Sequence, residues 1–382
     1  MENFDFHNPT RVLFGRETIP RIGEEVRRHG HHLVLLIAGG GSIRNNGVYE
    51  TVTASLRKSG VRWIECWGVR PNPVLSKVNE MAGAAFRAGV DALLAVGGGS
   101  VIDSAKAVAA GYYARGDLWR FFETREPVMR ALPLYTVLTM SAAGSEMNEF
   151  AVITKEDERK KWPLHGPALF PKLSIIDPSA QASLPWSQTV NGAIDAMSHV
   201  QEVYFAGGDA ETALGFGECL LRSVLAAAGR LQSDPTDYPA RASLAWAATL
   251  AVNGLAGAGI GDGDWATHGM EHGLSALYPD IAHGAGLGVI FPAWILYCHD
   301  ANPTTFARWA KNVWGQDTVE AGVAAFRARL KSWGAPTTLR ELGVPEERVD
   351  DIAANAFLGG MTGVVRRLDL DDYKRILRSA WA

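Results

Sequence analysis

The stretch DWATHGMEHGLSALYPDIAHG, residues 264–284, carries three histidines: His268, His272 and His283. His268 and His272 stand four apart, about one helical turn, so a helix would set them on one face. Upstream, NGAIDAMSHVQEVYF (191–205) puts Asp195 and His199 at the same spacing, among apolar Ala193, Ile194, Ala196, Met197 and Val200. Imidazole plus carboxylate suits Zn2+ or Fe2+, whereas a harder ion such as Mg2+ would ask for more oxygen. A buried Asp and His need each other or a metal. Spacing alone selects His268 and His272 as a metal pair, as in zinc-binding H-x-x-x-H helices, but Gly269 stands where the metalloprotease motif has its glutamate. Metal binding, proton handling and core packing are the three readings these residues offer.

A second kind of chemistry sits in two GGGS tetrapeptides, Gly39–Ser42 and Gly97–Ser100, each directly after a strand-like run. Glycine admits positive φ and close backbone approach, so the exposed N–H groups can cradle phosphate oxygens. Ser100 is placed to cap the following helix, VIDSAKAVAAGY. Neither loop matches G-x-G-x-x-G, so the usual dinucleotide fingerprint is absent. The first loop, with Arg44 close behind it, has no acidic side chain for a ribose 2′-hydroxyl, which favours NADP over NAD.

The elements that must carry these loops alternate through the first half. HHLVLLIAGGG, VRWIECWG, DALLAVGGGS, ALPLYTVLTM and PKLSIIDP read as strands, with amphipathic segments such as NEMAGAAFRAGV between them. That alternation predicts a parallel sheet covered by helices. After about residue 185 long Ala/Leu-rich helical segments take over, including ETALGFGECLLRSVLAAAGRL and YPARASLAWAATLAVNGLAGAG. The expected organisation is an α/β nucleotide-binding domain over 1–185 and an all-α metal-binding domain over 186–382, hinged at IIDPSAQASLP, with the active site in a cleft between them.

Composition reads as a soluble globular protein. The chain has 382 residues, 47% hydrophobic and 20% charged, with a net charge of −4. A mildly acidic chain without clustered Lys and Arg argues against nucleic-acid binding. No apolar run is long enough to span a bilayer, and MENFDFHNPTRVLFG lacks a signal-peptide pattern. Three scattered cysteines, Cys66, Cys219 and Cys298, point to a reducing cytoplasm.

Taken together, FHNPTRVLFG, GGGS at 39–42, PNP at 71–73, GGGSVIDSAK at 97–106, LTMSAAGSEMN at 138–148, IIDP at 175–178, NGAIDAMSH at 191–199, WATHGMEHGLSA at 265–276 and AHGAGLGVIFPAW at 282–294 carry a resemblance nearly end to end. The chain resembles the iron-containing (group III) alcohol dehydrogenases, most of all their NADPH-dependent butanol dehydrogenase and aldehyde reductase group. The resemblance implies a Rossmann-like, dehydroquinate synthase-like fold, a small aldehyde or alcohol substrate, a homodimer, and one Fe2+ or Zn2+ on Asp195, His199, His268 and His283. His272 would then lie by the nicotinamide and substrate instead of on the metal, with Asp103 as a second catalytic candidate. The nucleotide would meet Gly39, Gly40, Gly41, Ser42, Asn72, Gly98, Gly99, Ser100, Asp103, Thr139, Ser141, Ser145, Asn148 and Lys161, and GGGS at 39–42 resembles the NADP(H)-preferring branch over the NAD(H) one.

The sequence departs from the pattern in three places. The interval from His268 to His283 is one residue longer than in most relatives, with Pro279 in the turn. Ala143 lacks a hydroxyl that relatives often carry, and Gly273 follows His272 where some have Glu. Rival readings are a polyol (glycerol-type) dehydrogenase, a dehydroquinate synthase-like lyase, and a non-catalytic ligand-binding protein. The lyase would want Lys and Arg around 195–199 and 264–284, and neither stretch has any.

Overall fold

The computed structural model describes residues 1–114 and 117–382. The chain divides into two units, one of residues 7–184 and 234–249, the other of residues 1–6, 185–233 and 250–382.

The first unit carries eight described strands: β1 (Arg11–Phe14), β2 (Leu33–Ala38), β3 (Arg62–Cys66), β4 (Ala92–Gly97), β5 (Leu134–Leu138), β6 (Phe150–Lys155), β7 (Lys160–His165) and β8 (Leu173–Ile176). Six of them form one sheet in the order β1-β8-β5-β4-β2-β3, every pairing parallel. Successive residues of β2 enter opposite cores: Leu35 and Ile37 on one face, Val34, Leu36 and Ala38 on the other. Burial on both faces is why such strands read as continuous apolar runs and not as alternating ones. β6 and β7 pair antiparallel as a separate ribbon. Neither that ribbon nor β1 stood out in the sequence; β1 is four residues at a sheet edge and β7 contains Pro163.

The strand order decides where the glycine loops lie. From β2 the chain moves outward to β3, then crosses back to place β4 on the other side of β2. The loops after β2 and β4 are therefore neighbours at the reversal of strand order, where open parallel sheets bind ligands. Gly97 is required there for space, since a Cβ on it would stand 2.5 Å from Val101 Cγ2. Ser100 lies inside the first turn of the Gly99–Ala114 helix and not before it, so it does not stand at the N-cap position expected of it.

The second unit is helical. Helices Trp186–Ala206, Ala266–Leu277 and His283–Cys298 carry the histidines singled out above. The glycines after His283 let these helices close on one another. A Cβ on Gly284 would lie 2.1 Å from Asn191 O, and one on Gly286 2.9 Å from Glu271 Cγ. Residues 234–249, expected in the helical half, pack with the sheet. Ala245 enters its core, Trp246 meets Phe14 edge-on, and Thr249 Oγ1 donates to Glu146 Oε1 at 2.6 Å. Helical period identified the segment as a helix but could not say which core its apolar stripe would enter. No described helix is long and apolar enough to cross a membrane.

Candidate metal centre and nucleotide loops

Asp195 and His199 lie on the middle of the Trp186–Ala206 helix, one turn apart and buried. His268 comes from the first turn of the Ala266–Leu277 helix, and His283 from the first residue of the next. The turn at 278–282, which contains Pro279, is closed by Ile281 N–H donating to Tyr278 O at 3.0 Å. It returns the chain so that His283 Nε2 stands 3.6 Å from Asp195 Oδ1. His199 Nδ1 and His268 Nε2 lie 3.7 and 3.9 Å from the same oxygen.

Three of these atoms, Asp195 Oδ1, His199 Nδ1 and His268 Nε2, are buried without any hydrogen-bond partner. Each such orphan costs about 1–3 kcal/mol. Three of them converging, with their residues' ligand atoms within 4.8 Å of one another, is the arrangement a divalent ion resolves. Burial is the largest influence on His199 and pushes its imidazole down to about 3. The Asp195 carboxylate pulls the other way, and His268 and His283 add to the depression. A neutral imidazole is the form that ligates a metal.

Two carboxylates orient the imidazoles. Glu202 Oε1 accepts from His268 Nδ1 at 2.9 Å, from the His268 N–H at 3.1 Å and from the Thr267 hydroxyl, while Oε2 accepts from the Trp265 N–H at 2.8 Å. A carboxylate only accepts, so His268 carries its proton on Nδ1 and turns the Nε2 lone pair toward Asp195. Glu271 Oε2 binds His283 Nδ1 in the same way, and its Oε1 accepts from Ser275 Oγ. Neither glutamate was singled out in the sequence. The signal for Glu202 was there: Asp195, His199 and Glu202 follow one helical face at i, i+4 and i+7.

His272 does not join the Asp195 group. Its ligand atom falls within 4.8 Å of those of Glu271 and His283, with the His272 and His283 rings 5.6 Å apart. The close pair that spacing selected is thus divided between two adjacent groups, with His283 of the second facing Asp195 of the first.

Of the residues assigned to the nucleotide, the two glycine loops follow β2 and β4, Thr139 and Ser141 follow β5, Asn72 follows β3 and Lys161 lies on β7. Gly41 is left-handed at φ +112°. Thr139 N–H donates to Gly97 O at 3.0 Å. Lys161 Nζ donates to Asn72 Oδ1 at 2.9 Å, and Ser141 Oγ to Gln181 Oε1 at 3.0 Å. A Cβ on Gly99 would lie 3.0 Å from Ala143 Cβ, so the methyl at 143 packs against the second glycine loop.

Asp103, expected near the chemistry, has both oxygens engaged: Ser145 Oγ donates to one at 2.6 Å and Val152 N–H to the other at 3.0 Å. Burial raises its pKa against the pull of Lys106, Ser145 and Val152. Lys106, which the sequence reading passed over, is wholly buried. Its Nζ donates to Asn148 Oδ1 at 2.8 Å, Asn148 O at 2.9 Å and Phe150 O at 2.7 Å. Burial brings the amine down to about 7 although Asp103, Glu146 and Glu149 oppose it. Together Asp103 and Lys106 tie the 145–152 segment to the helix that follows the second glycine loop.

An acidic side chain does lie one strand over from the first loop. Glu65 on β3 accepts from Tyr49 Oη at 2.6 Å, Trp63 Nε1 at 2.9 Å and Trp67 Nε1 at 2.7 Å. Arg44 Nη2 lies 3.8 Å from its Oε2, and the guanidinium sits 4.0 Å from the Trp67 ring centroid. The cluster abuts the loop, because Gly68 N–H donates to Gly39 O at 3.2 Å.

Residues 9–178 match the family model of the iron-containing alcohol dehydrogenases, and residues 189–381 match that of the Fe-containing alcohol dehydrogenase family, C-terminal. A probable NADH-dependent butanol dehydrogenase of Bacillus subtilis is 39% identical over 391 residues, covering 100% of both chains. The NADPH-dependent aldehyde reductase YqhD of Escherichia coli is 33% identical over 392 residues, again covering 100% of both. Among solved structures, an NADH-dependent butanol dehydrogenase A of Thermotoga maritima is 48% identical with a TM-score of 0.98, covering 100% of this chain and 99% of that one.

Proposed function

The chain belongs to the iron-containing alcohol dehydrogenase family and is an alcohol or aldehyde dehydrogenase, and from that premise we propose that it interconverts a primary alcohol and its aldehyde with NADP(H), at one Fe2+ or Zn2+ held by Asp195, His199, His268 and His283. The observation that carries this reading is the convergence of three buried, partnerless ligand atoms on one point, with His283 facing the same carboxylate oxygen. When bound, the metal supplies Lewis-acid polarisation of the carbonyl and the nicotinamide supplies or receives the hydride. Glu202 and Glu271 keep the two imidazoles they touch in the ligating tautomer. His272, one turn past His268, gives the proton that the product hydroxyl needs in reduction and takes it back in oxidation. Asp103, with Lys106, keeps the segment behind the second glycine loop in place for the nucleotide. The reading is of a cytoplasmic homodimer; the three free cysteines fit a reducing compartment.

Loss of absorbance at 340 nm with NADPH and butanal is the direct test. Silence with NADPH and NADH alike would sink the dehydrogenase reading.

The coenzyme preference rests on the absence of an acid in the loop at 39–42 itself and on Arg44 beside it; Glu65 on the next strand already accepts from Tyr49, Trp63 and Trp67. The relatives include enzymes named for either coenzyme. Arg44→Ala is expected to raise the KM for NADPH about tenfold and to leave that for NADH within about twofold, since a hydrogen bond to a charged group contributes roughly 1.5–3 kcal/mol before solvent weakens it. Equal effects on both coenzymes would show that Arg44 does not read the 2′-phosphate.

Glu202→Gln tests the orienting carboxylate. A neutral amide cannot hold the His268 Nδ1–H as firmly, and metal affinity is expected to fall about 10–100-fold. Competition with a chelator measures it, and an unchanged affinity would reduce Glu202 to a packing group.

A further inference from the structure

The helix bearing His268 is entered through Trp265, whose backbone is left-handed at φ +60°. The segment leading up to it fills its other left-handed positions, 254, 259, 261 and 263, with glycine. At 265 a bulky side chain is held where its own Cβ opposes the backbone, although glycine would sit there without strain. What the side chain does there must offset that strain. The indole stands edge-on to the His268 ring, with centroids 5.2 Å apart at 66°, and lies 6.1 Å from the His199 ring at 57°. Its Nε1 donates to Asp262 O, which fixes the ring at its far end. The left-handed turn also aims the Trp265 N–H at Glu202 Oε2, 2.8 Å away. The other oxygen of that carboxylate holds His268 Nδ1.

We propose that Trp265 is a positioning residue for the metal centre. Its ring limits the rotation of both the His199 and His268 imidazoles, and its strained backbone anchors the glutamate that sets the His268 tautomer. The convergence of Asp195 Oδ1, His199 Nδ1 and His268 Nε2 then exists before any ion arrives, which lowers the ordering cost of binding. The inference rests on the metal reading given above.

Co2+ serves as the probe, because its visible band reports both affinity and coordination geometry. The full chain, stripped of metal, is titrated with Co2+ as wild type, Trp265→Gly, Trp265→Phe and Trp265→Leu. Trp265→Gly is expected to bind about tenfold more weakly, with a weaker, less tetrahedral band, in the range seen when groups behind metal ligands are removed. Trp265→Phe, which restores an aromatic face, is expected to stay within about threefold of wild type. An affinity of Trp265→Gly within about threefold of wild type overturns the proposal on the same scale. If Trp265→Gly does not fold, the other two variants decide. Leu binding clearly more weakly than Phe supports a role for the ring, and equal binding overturns it. Absence of any Co2+ band in the wild type would defeat the metal reading itself, and this inference with it.

Discussion

Replacing His268 with alanine is expected to remove bound metal and aldehyde reduction together, with the fold retained. His268 Nε2 is one of three buried atoms that point at a common centre without a hydrogen-bond partner. Removing it leaves Asp195, His199 and the more exposed His283, and takes away the imidazole whose tautomer is most firmly set. Turnover should fall by about a thousandfold or more, since Lewis-acid stabilisation of a developing alkoxide is worth several kcal/mol. The fold should survive because Glu202, fully buried, keeps three of its donors: the Thr267 hydroxyl and the backbone N–H groups of residues 265 and 268. Metal analysis of protein purified without added metal, beside a melting curve, checks this. A variant that keeps its metal would place His268 outside the ligand set.

His272→Ala should separate the two histidines that sequence spacing joined. Metal content is expected to match the wild type, while kcat falls about 10²–10³-fold, the usual cost of losing a positioned proton donor. KM should move little, because a group that only transfers the proton acts on turnover more than on substrate binding. Partial recovery with added imidazole would place the loss in proton transfer. Loss of metal together with activity would instead make His272 a ligand, a role open to it geometrically through its group with Glu271 and His283. The two variants are informative as a pair: one loses metal and rate, the other rate alone.

Much of this protein was readable from the chain. The apolar runs that became β2, β4, β5 and β8 are short, flanked by glycine or proline, and buried on both faces, and β3 is a half-buried edge strand, so local composition was enough to mark them. Helical period put Asp195 above His199 and His268 above His272. The residue motifs carried the family, and the family comparisons agree. The glycine loops could be marked in kind as turns that require glycine, since only glycine tolerates the backbone at Gly41 and the crowding at Gly97.

Other features depended on partners distant in sequence, and only the tertiary structure decided them. The crossover between β3 and β4 made the two glycine loops neighbours; nothing in either loop states that the other lies beside it. Close helix packing at Gly284 and Gly286 brought His283 to Asp195 and left His272 with Glu271. Helical spacing says which side chains share a face, whereas metal geometry depends on which faces meet. Glu65, on the neighbouring strand, came to stand beside Arg44, which lies over Trp67. Glu202 and Glu271 acquired their roles in the same way, because a carboxylate fixes a tautomer only once packing has excluded the water that would otherwise compete for the imidazole. Sequence alone determined which chemical groups this protein has and which elements carry them; long-range packing decided which of those groups share a site.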